Sequence, residues 1–225
     1  MVEMLYFVIG WMIVMAAIPV FAVLSLALAI IKRFVMRFHD PVEKLCFRIR
    51  LGGNTAYFIA LLNAFAAVYY FIGAGLPVGA RFQPWLMGAV TQLPEGWYIV
   101  TMFIFVIAGF VLKVTRKFYV AGFIVSLFGV QVLMELAPTL FALASDPGLF
   151  ARFIEEIARM HDSYTNVGGM PGTVMTTLFA GLIYGAAIQA AYYILAMTGL
   201  LIALSGTMRL RRFTALKFAT PPTPG

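Results

Sequence analysis

The amino-acid sequence predicts an all-α fold: a polytopic integral membrane bundle of about five transmembrane helices. Three observations predict it. Hydrophobic residues make up 63% of the chain and charged residues 11%, with a mean hydropathy of +0.96, whereas a soluble domain carries roughly 45–50% apolar and ~25% charged residues. The apolar residues gather into five stretches near the roughly 20 helical residues needed to cross ~30 Å of hydrocarbon. Thirteen of the sixteen Lys and Arg residues fall in alternate gaps between those stretches or at the C-terminal end, the asymmetry that orients a membrane protein.

The first stretch, Met4–Ile31, follows Glu3 rather than a basic segment and is about twice as long as the core of a signal peptide, so it is expected to remain as a span. The gap after it holds Lys32, Arg33, Arg37, Lys44, Arg48 and Arg50. Within that gap Asp40-Pro41 supplies an N-cap and a first-turn proline, and Val42, Leu45, Cys46 and Ile49 recur at helical spacing opposite Lys44, Arg48 and Arg50. This pattern predicts a short basic helix on the inner membrane face. The second span is expected at Asn54–Gly75, and the third, at the short limit, at Trp97–Leu112. Lys113, Arg116 and Lys117 separate the third from the fourth, Phe118–Leu143. A second short amphipathic helix is expected after Ser145-Asp146-Pro147, with Phe150, Phe153, Ile154 and Ile157 on one face and Arg152/Glu156 and Glu155/Arg159 paired on the other. A Gly- and Pro-containing lead, His161–Gly172, runs into the fifth span, Thr173–Gly206. The first and last stretches exceed the membrane thickness and are expected to tilt, kink or project. Residues 1–220 thus read as one transmembrane domain, and 221–225 as a disordered tail.

The basic gaps and the C-terminal Arg209, Arg211, Arg212 and Lys217 mark the cytoplasmic side, placing the N-terminus outside. Trp11, Trp85 and Trp97 then fall at the outer headgroup layer. The net charge of +7 sits at span ends rather than along one polar face, so membrane lipids are the expected partners and nucleic acid is not. Size and short loops suggest a bacterial inner (plasma) membrane.

Glu135 is the only ionisable side chain well inside a span, which makes it the first candidate for function. Gln131 precedes it by one turn on the same face. Pro138 follows and frees the carbonyl near Met134, so that an acid, an amide and a carbonyl could bind a proton, a cation or a polar headgroup. The structural reading has Glu135 protonated, or hydrogen-bonded to an Asn, Gln or Tyr of another span, and simply fixing packing. Asn63 and Gln189 are the other deep polar groups. In the fifth span Gly181, Gly185 and Gln189 lie at i, i+4 and i+8, with Tyr192, Tyr193 and Ala196 extending that side; the two glycines are expected to allow close helix packing. Cys46 is the single cysteine, so no disulfide or multi-cysteine metal centre can form within the chain. His39 and His161 lie on opposite sides of the expected membrane and cannot hold a haem between the spans. Walker A, Gly-x-Ser-x-Gly, His-Glu-x-x-His and CxxC patterns are absent. The expected cofactor and metal content is therefore none, and catalysis is not expected.

Five spans, an outside N-terminus, this length, and Ser126-Leu127 with Gln131 in the fourth span resemble the membrane-anchoring gamma subunit of respiratory nitrate reductases. That family ligates haem through histidines of its second and fifth spans. Those spans here carry Asn63, Tyr69 and Tyr70, and Gln189, Tyr192 and Tyr193, so the resemblance does not extend to electron transfer. The reading that asks least of the few polar residues is a non-catalytic membrane subunit of a larger inner-membrane assembly, of secretion, conjugation or respiratory type, contacting other membrane proteins or further copies of itself. The alternatives are a small transporter or channel for a proton, cation or small solute using Glu135, and a lipid- or quinone-contacting protein.

Overall fold

The computed structural model describes residues 17, 20–33, 35, 36, 38, 40–74, 96–146, 148, 155 and 172–219; of these, the backbone alone is described at 69–74, 138–140, 142, 143, 172–186 and 216–219. All regular structure among the described residues is helical. Four helices follow the segment 20–33: α1 (Pro41–Ala74), α2 (Gly96–Thr115), α3 (Phe118–Ser145) and α4 (Gly172–Ala219). Each contains a stretch long and apolar enough to cross a membrane. The protein is therefore a multi-pass helical membrane protein. The expected span starts at Trp97, Phe118 and Thr173 fall within one residue of the observed helix starts. Most of the first expected span and nearly all of the second amphipathic helix lie outside the described residues.

Segment 20–33 turns Ala22, Leu26 and Ile30 inward and exposes Phe21, Leu24, Leu28 and Ile31. A helix apolar on both faces suits a bundle bordered by lipid, where helix formation satisfies every backbone group internally. After it, Asp40 caps α1: its Oδ1 accepts from the Val42 amide at 2.8 Å, with Pro41 in the first turn, where a missing N–H costs nothing.

The basic segment expected as a separate surface helix is instead the first three turns of α1, which runs 34 residues without a break. Its face also differs from expectation. Arg48, expected toward solvent, is buried, with Ile49 and Leu51 beside it. The reason is the line Arg48, Gly52, Thr55, Ile59 along α1, which is the surface that packs on α4. A Cβ placed at Gly206 would stand 3.0 Å from the Arg48 Cβ. The arginine stem lies over that glycine while its charged head reaches the cluster formed with Arg33 and Arg209, as long basic side chains do near membrane boundaries.

Helix α1 is central, with extensive contacts to α2 and α4, whereas α3 packs chiefly on α4. Two glycines set the α1–α4 distance. A Cβ at Gly52 would lie 2.1 Å from the Ala203 Cβ, and one at Gly199 would lie 2.5 Å from the Thr55 Oγ1. Small residues at such crossings let backbones approach closely, the main source of helix association where lipid is as apolar as the side chains. Gly181 and Gly185, the pair expected in this role, lie within α4, but their surroundings are outside the described residues. The core around this crossing joins Leu26, Ile49, Ile59, Phe105, Ile124, Phe128 and Leu200 in one cluster.

Candidate functional site

Above that cluster, four helices each send polar side chains to one centre. Asn63 comes from α1, Thr101 from α2, Gln131 and Glu135 from α3, and Gln189, Tyr192 and Tyr193 from α4. Asn63 and Gln131 form a reciprocal amide pair: Asn63 Nδ2 donates to Gln131 Oε1 at 3.2 Å, and Gln131 Nε2 donates to Asn63 Oδ1 at 2.9 Å. Each amide has a second proton to place. Asn63 gives it to Thr101 Oγ1 at 3.0 Å, and Gln131 gives it to Glu135 Oε1 at 3.0 Å. Both amide orientations are thereby fixed, because a carboxylate can only accept and so must face the Gln131 nitrogen.

The other carboxyl oxygen is held from α4. Tyr193 donates its hydroxyl proton to Glu135 Oε2 and accepts from Gln189 Nε2 at 2.6 Å. The Tyr98 hydroxyl lies beside the same carboxyl. A continuous chain therefore runs Thr101, Asn63, Gln131, Glu135, Tyr193, Gln189. Helical spacing builds it locally: Gln131 and Glu135, like Gln189 and Tyr193, are four residues apart and so stand one turn apart on one face.

The centre borders a cavity of about 60 Å³ lined by Asn63, Gln131, Glu135, Gln189, Tyr192 and Tyr193, among others. A water needs ~10–15 Å³, so this space has room for a few waters or one small cation. Glu135 is 6% exposed. The Tyr192 hydroxyl lines the cavity and has no hydrogen-bond partner among the described residues; a buried hydroxyl in that state is one that a water or ligand completes. Toward the basic end, Phe128 packs edge-on against Phe105, with ring centroids 6.4 Å apart, and against Tyr192 and Tyr193, at 5.9 and 6.3 Å. Phe105 and Phe128 are fully buried, so a dry aromatic layer closes that side of the centre.

The five residues singled out by sequence as binding candidates, Glu135, Gln131, Gln189, Asn63 and Tyr192, thus line one cavity. The carbonyl expected to join them belongs to Met134, a residue that does not line the cavity. Tyr193, which the sequence places on the same side of the fifth span as Gln189, carried a signal and joins as the tyrosine of another span that holds Glu135; Thr101 joins unannounced. Thr101 carried none, since a threonine within a span ordinarily bonds its own backbone, and Thr101 does so too, donating to the Trp97 carbonyl at 2.8 Å. Its oxygen lone pairs remain free to accept from Asn63. Among the described residues no group of three or more His, Cys, Asp and Glu side chains could hold a metal. No protein-family model, curated protein or solved structure matches this chain.

Proposed function

We propose that this protein is a small inner-membrane transporter or channel in which Glu135 takes up a proton or a small monovalent cation, with Gln131, Asn63, Gln189 and Tyr192 as its immediate surroundings. The observation that carries this reading is a buried carboxyl, held by donors from two helices, beside a cavity also lined by Tyr192, whose hydroxyl has no hydrogen-bond partner among the described residues. A carboxyl at membrane depth that has no cationic side chain at its cavity among the described residues keeps its charge only against a cost, and a proton or cation removes that cost. The volume favours these over a larger solute.

In this reading the chain has five spans, the first including residues 20–33, with the N-terminus outside and the C-terminus in the cytoplasm of a bacterium. The dry Phe105–Phe128 layer lies between the carboxyl and the cytoplasmic end, so Glu135 is loaded from the outer side. The test is flux in proteoliposomes under an imposed proton or potassium gradient. Wild-type protein is expected to conduct and Glu135→Gln to be silent while retaining its helical content and monodispersity. Full flux in that variant, or no flux in the wild type for either ion, ends the proposal.

A second reading, a non-catalytic subunit of a larger assembly, is favoured by α4. Its 48 residues extend about 72 Å at 1.5 Å per residue, more than twice a hydrocarbon layer. The end beyond Gly206 carries Arg209, Arg211, Arg212 and Lys217 and would offer a partner a rigid basic handle. Gentle extraction from the native membrane would then yield a large particle with stoichiometric partners; a monomer or small homo-oligomer would remove this reading.

A further inference from the structure

A second cavity, of about 540 Å³, lies at the opposite, basic end of the bundle, between the α2–α3 turn and the C-terminal part of α4. Its walls carry Arg116, Lys117 and Arg211, with Phe118, Tyr119 and Leu210 beside them. No acidic residue borders it among the described residues. Three cations from two separate parts of the chain therefore face one space with no carboxylate between them.

The neighbouring backbone adds to the same field. The first amides of α3 have no helical acceptor, and the first turn of α3 contains no acid to meet the positive end of the helix dipole. Lys113, in the last turn of α2, is engaged elsewhere, its ammonium 4.2 Å from the centre of the Tyr57 ring. Arg116 gives one N–H to the Cys46 sulfur at 3.2 Å, which leaves four of its five donors. Thr115, Thr207 and Thr214 also border the cavity, but their hydroxyl protons go to carbonyls of their own helices, so anion preference rests on the cations and the helix end.

Next to this cavity on α2 and α3, Phe110, Val114, Tyr119 and Phe123 form exposed apolar surface, and Lys117 lies over the Tyr119 ring, 5.5 Å from its centre. Charged donors at the rim of an apolar helix face form the arrangement that takes a phosphate in the headgroup layer while its acyl chains run down the helices.

We propose that this cavity is a specific site for the phosphate of an anionic phospholipid headgroup, bound by Arg116, Lys117 and Arg211 on the cytoplasmic side. Its test does not involve Glu135. Full-length protein in a neutral detergent is titrated with phosphatidylglycerol, with phosphatidylcholine of the same chains, or with inorganic phosphate, and its unfolding temperature is followed. Phosphatidylglycerol is expected to raise that temperature saturably and the other two to leave it unchanged.

Arg116 has a φ of 54°, a conformation that glycine adopts freely, so Arg116→Gly removes the charge without disturbing the turn. At about fivefold per cation near a membrane surface, Arg116→Gly with Arg211→Gln is expected to raise the half-saturating lipid concentration about thirtyfold. Arg211→Lys, which keeps the charge, stays close to wild type and separates charge from packing should Arg211→Gln lower the basal unfolding temperature. Equal shifts with phosphatidylcholine, or equal half-saturation in Arg211→Gln and Arg211→Lys, overturn the site. A full shift with inorganic phosphate alone overturns the lipid assignment in favour of a soluble anion.

Discussion

Gln131 holds the polar centre together. It is 2% exposed, uses both amide protons and its carbonyl oxygen, and links Asn63 on α1 to the acid on its own helix. Removing Asn63 therefore strands donors and acceptors on two neighbours at once. Asn63→Leu is expected to destabilise the fold by about 1–2 kcal/mol, near the upper end for hydrogen bonds within membranes. Reversible unfolding in mixed micelles would measure it, and a loss below about 0.3 kcal/mol would show that the amide pair carries little energy. For Tyr193 and Glu135, a double-mutant cycle with Tyr193→Phe and Glu135→Gln should give a coupling energy of about 1 kcal/mol. Additive effects would show that the contact is incidental. Much of this centre was legible in the sequence, because polar side chains within apolar spans are few and must find one another. Thr101 was not legible, as nothing in a sequence distinguishes a threonine that only bonds its own turn from one that also accepts across helices.

Among elements, the decisive contact is the α1–α4 crossing. Sequence reading expected close packing at Gly181 and Gly185, whose surroundings lie outside the described residues, and did not single out Gly52 and Gly199, where an added methyl would meet Ala203 and Thr55 at the described crossing. Spacing within one helix cannot reveal which turn another helix crosses; that depends on the partner's small residues, here Ala203 against Gly52. Gly52→Ala is expected to force the helices apart or shift their register and to cost about 1–3 kcal/mol, read as a lower unfolding temperature. Unchanged stability would mean that the crossing relaxes freely. Gly122, with open space around the position of its Cβ, is the control: Gly122→Ala should be neutral or slightly stabilising, since alanine favours helix. The continuity of α1 was also missed. Periodicity identified an amphipathic segment at 41–50 and an apolar one from 54, but Leu51, Gly52 and Gly53 between them contain no residue that must end a helix, and tertiary packing of Gly52 and Gly53 against α4 and α2 offsets their weak helical propensity.

For the whole molecule, charge placement predicts the orientation, and the structure gathers those charges at one end. Arg33 and Arg209 lie near Arg48, Arg50 lies near Lys113, and Arg116 reaches Cys46. With Cys46 as the only native cysteine, Arg212→Cys in a Cys46→Ser background provides a single probe on an exposed position. A membrane-impermeant maleimide is expected to label it in inverted vesicles and not in intact spheroplasts; the reverse pattern would invert the topology. Fold class and the starts of the helices at Gly96, Phe118 and Gly172 were readable because hydrocarbon thickness and the cost of moving charge into it act on composition directly. Helix ends and crossings were not, because they depend on which surfaces meet.

The turn between α2 and α3 consists of two residues, Arg116 and Lys117, with the Arg116 amide bonded back to Leu112 at 2.9 Å. So short a link holds the end of α2 and the start of α3 side by side and fixes two cationic side chains at one tip of the bundle.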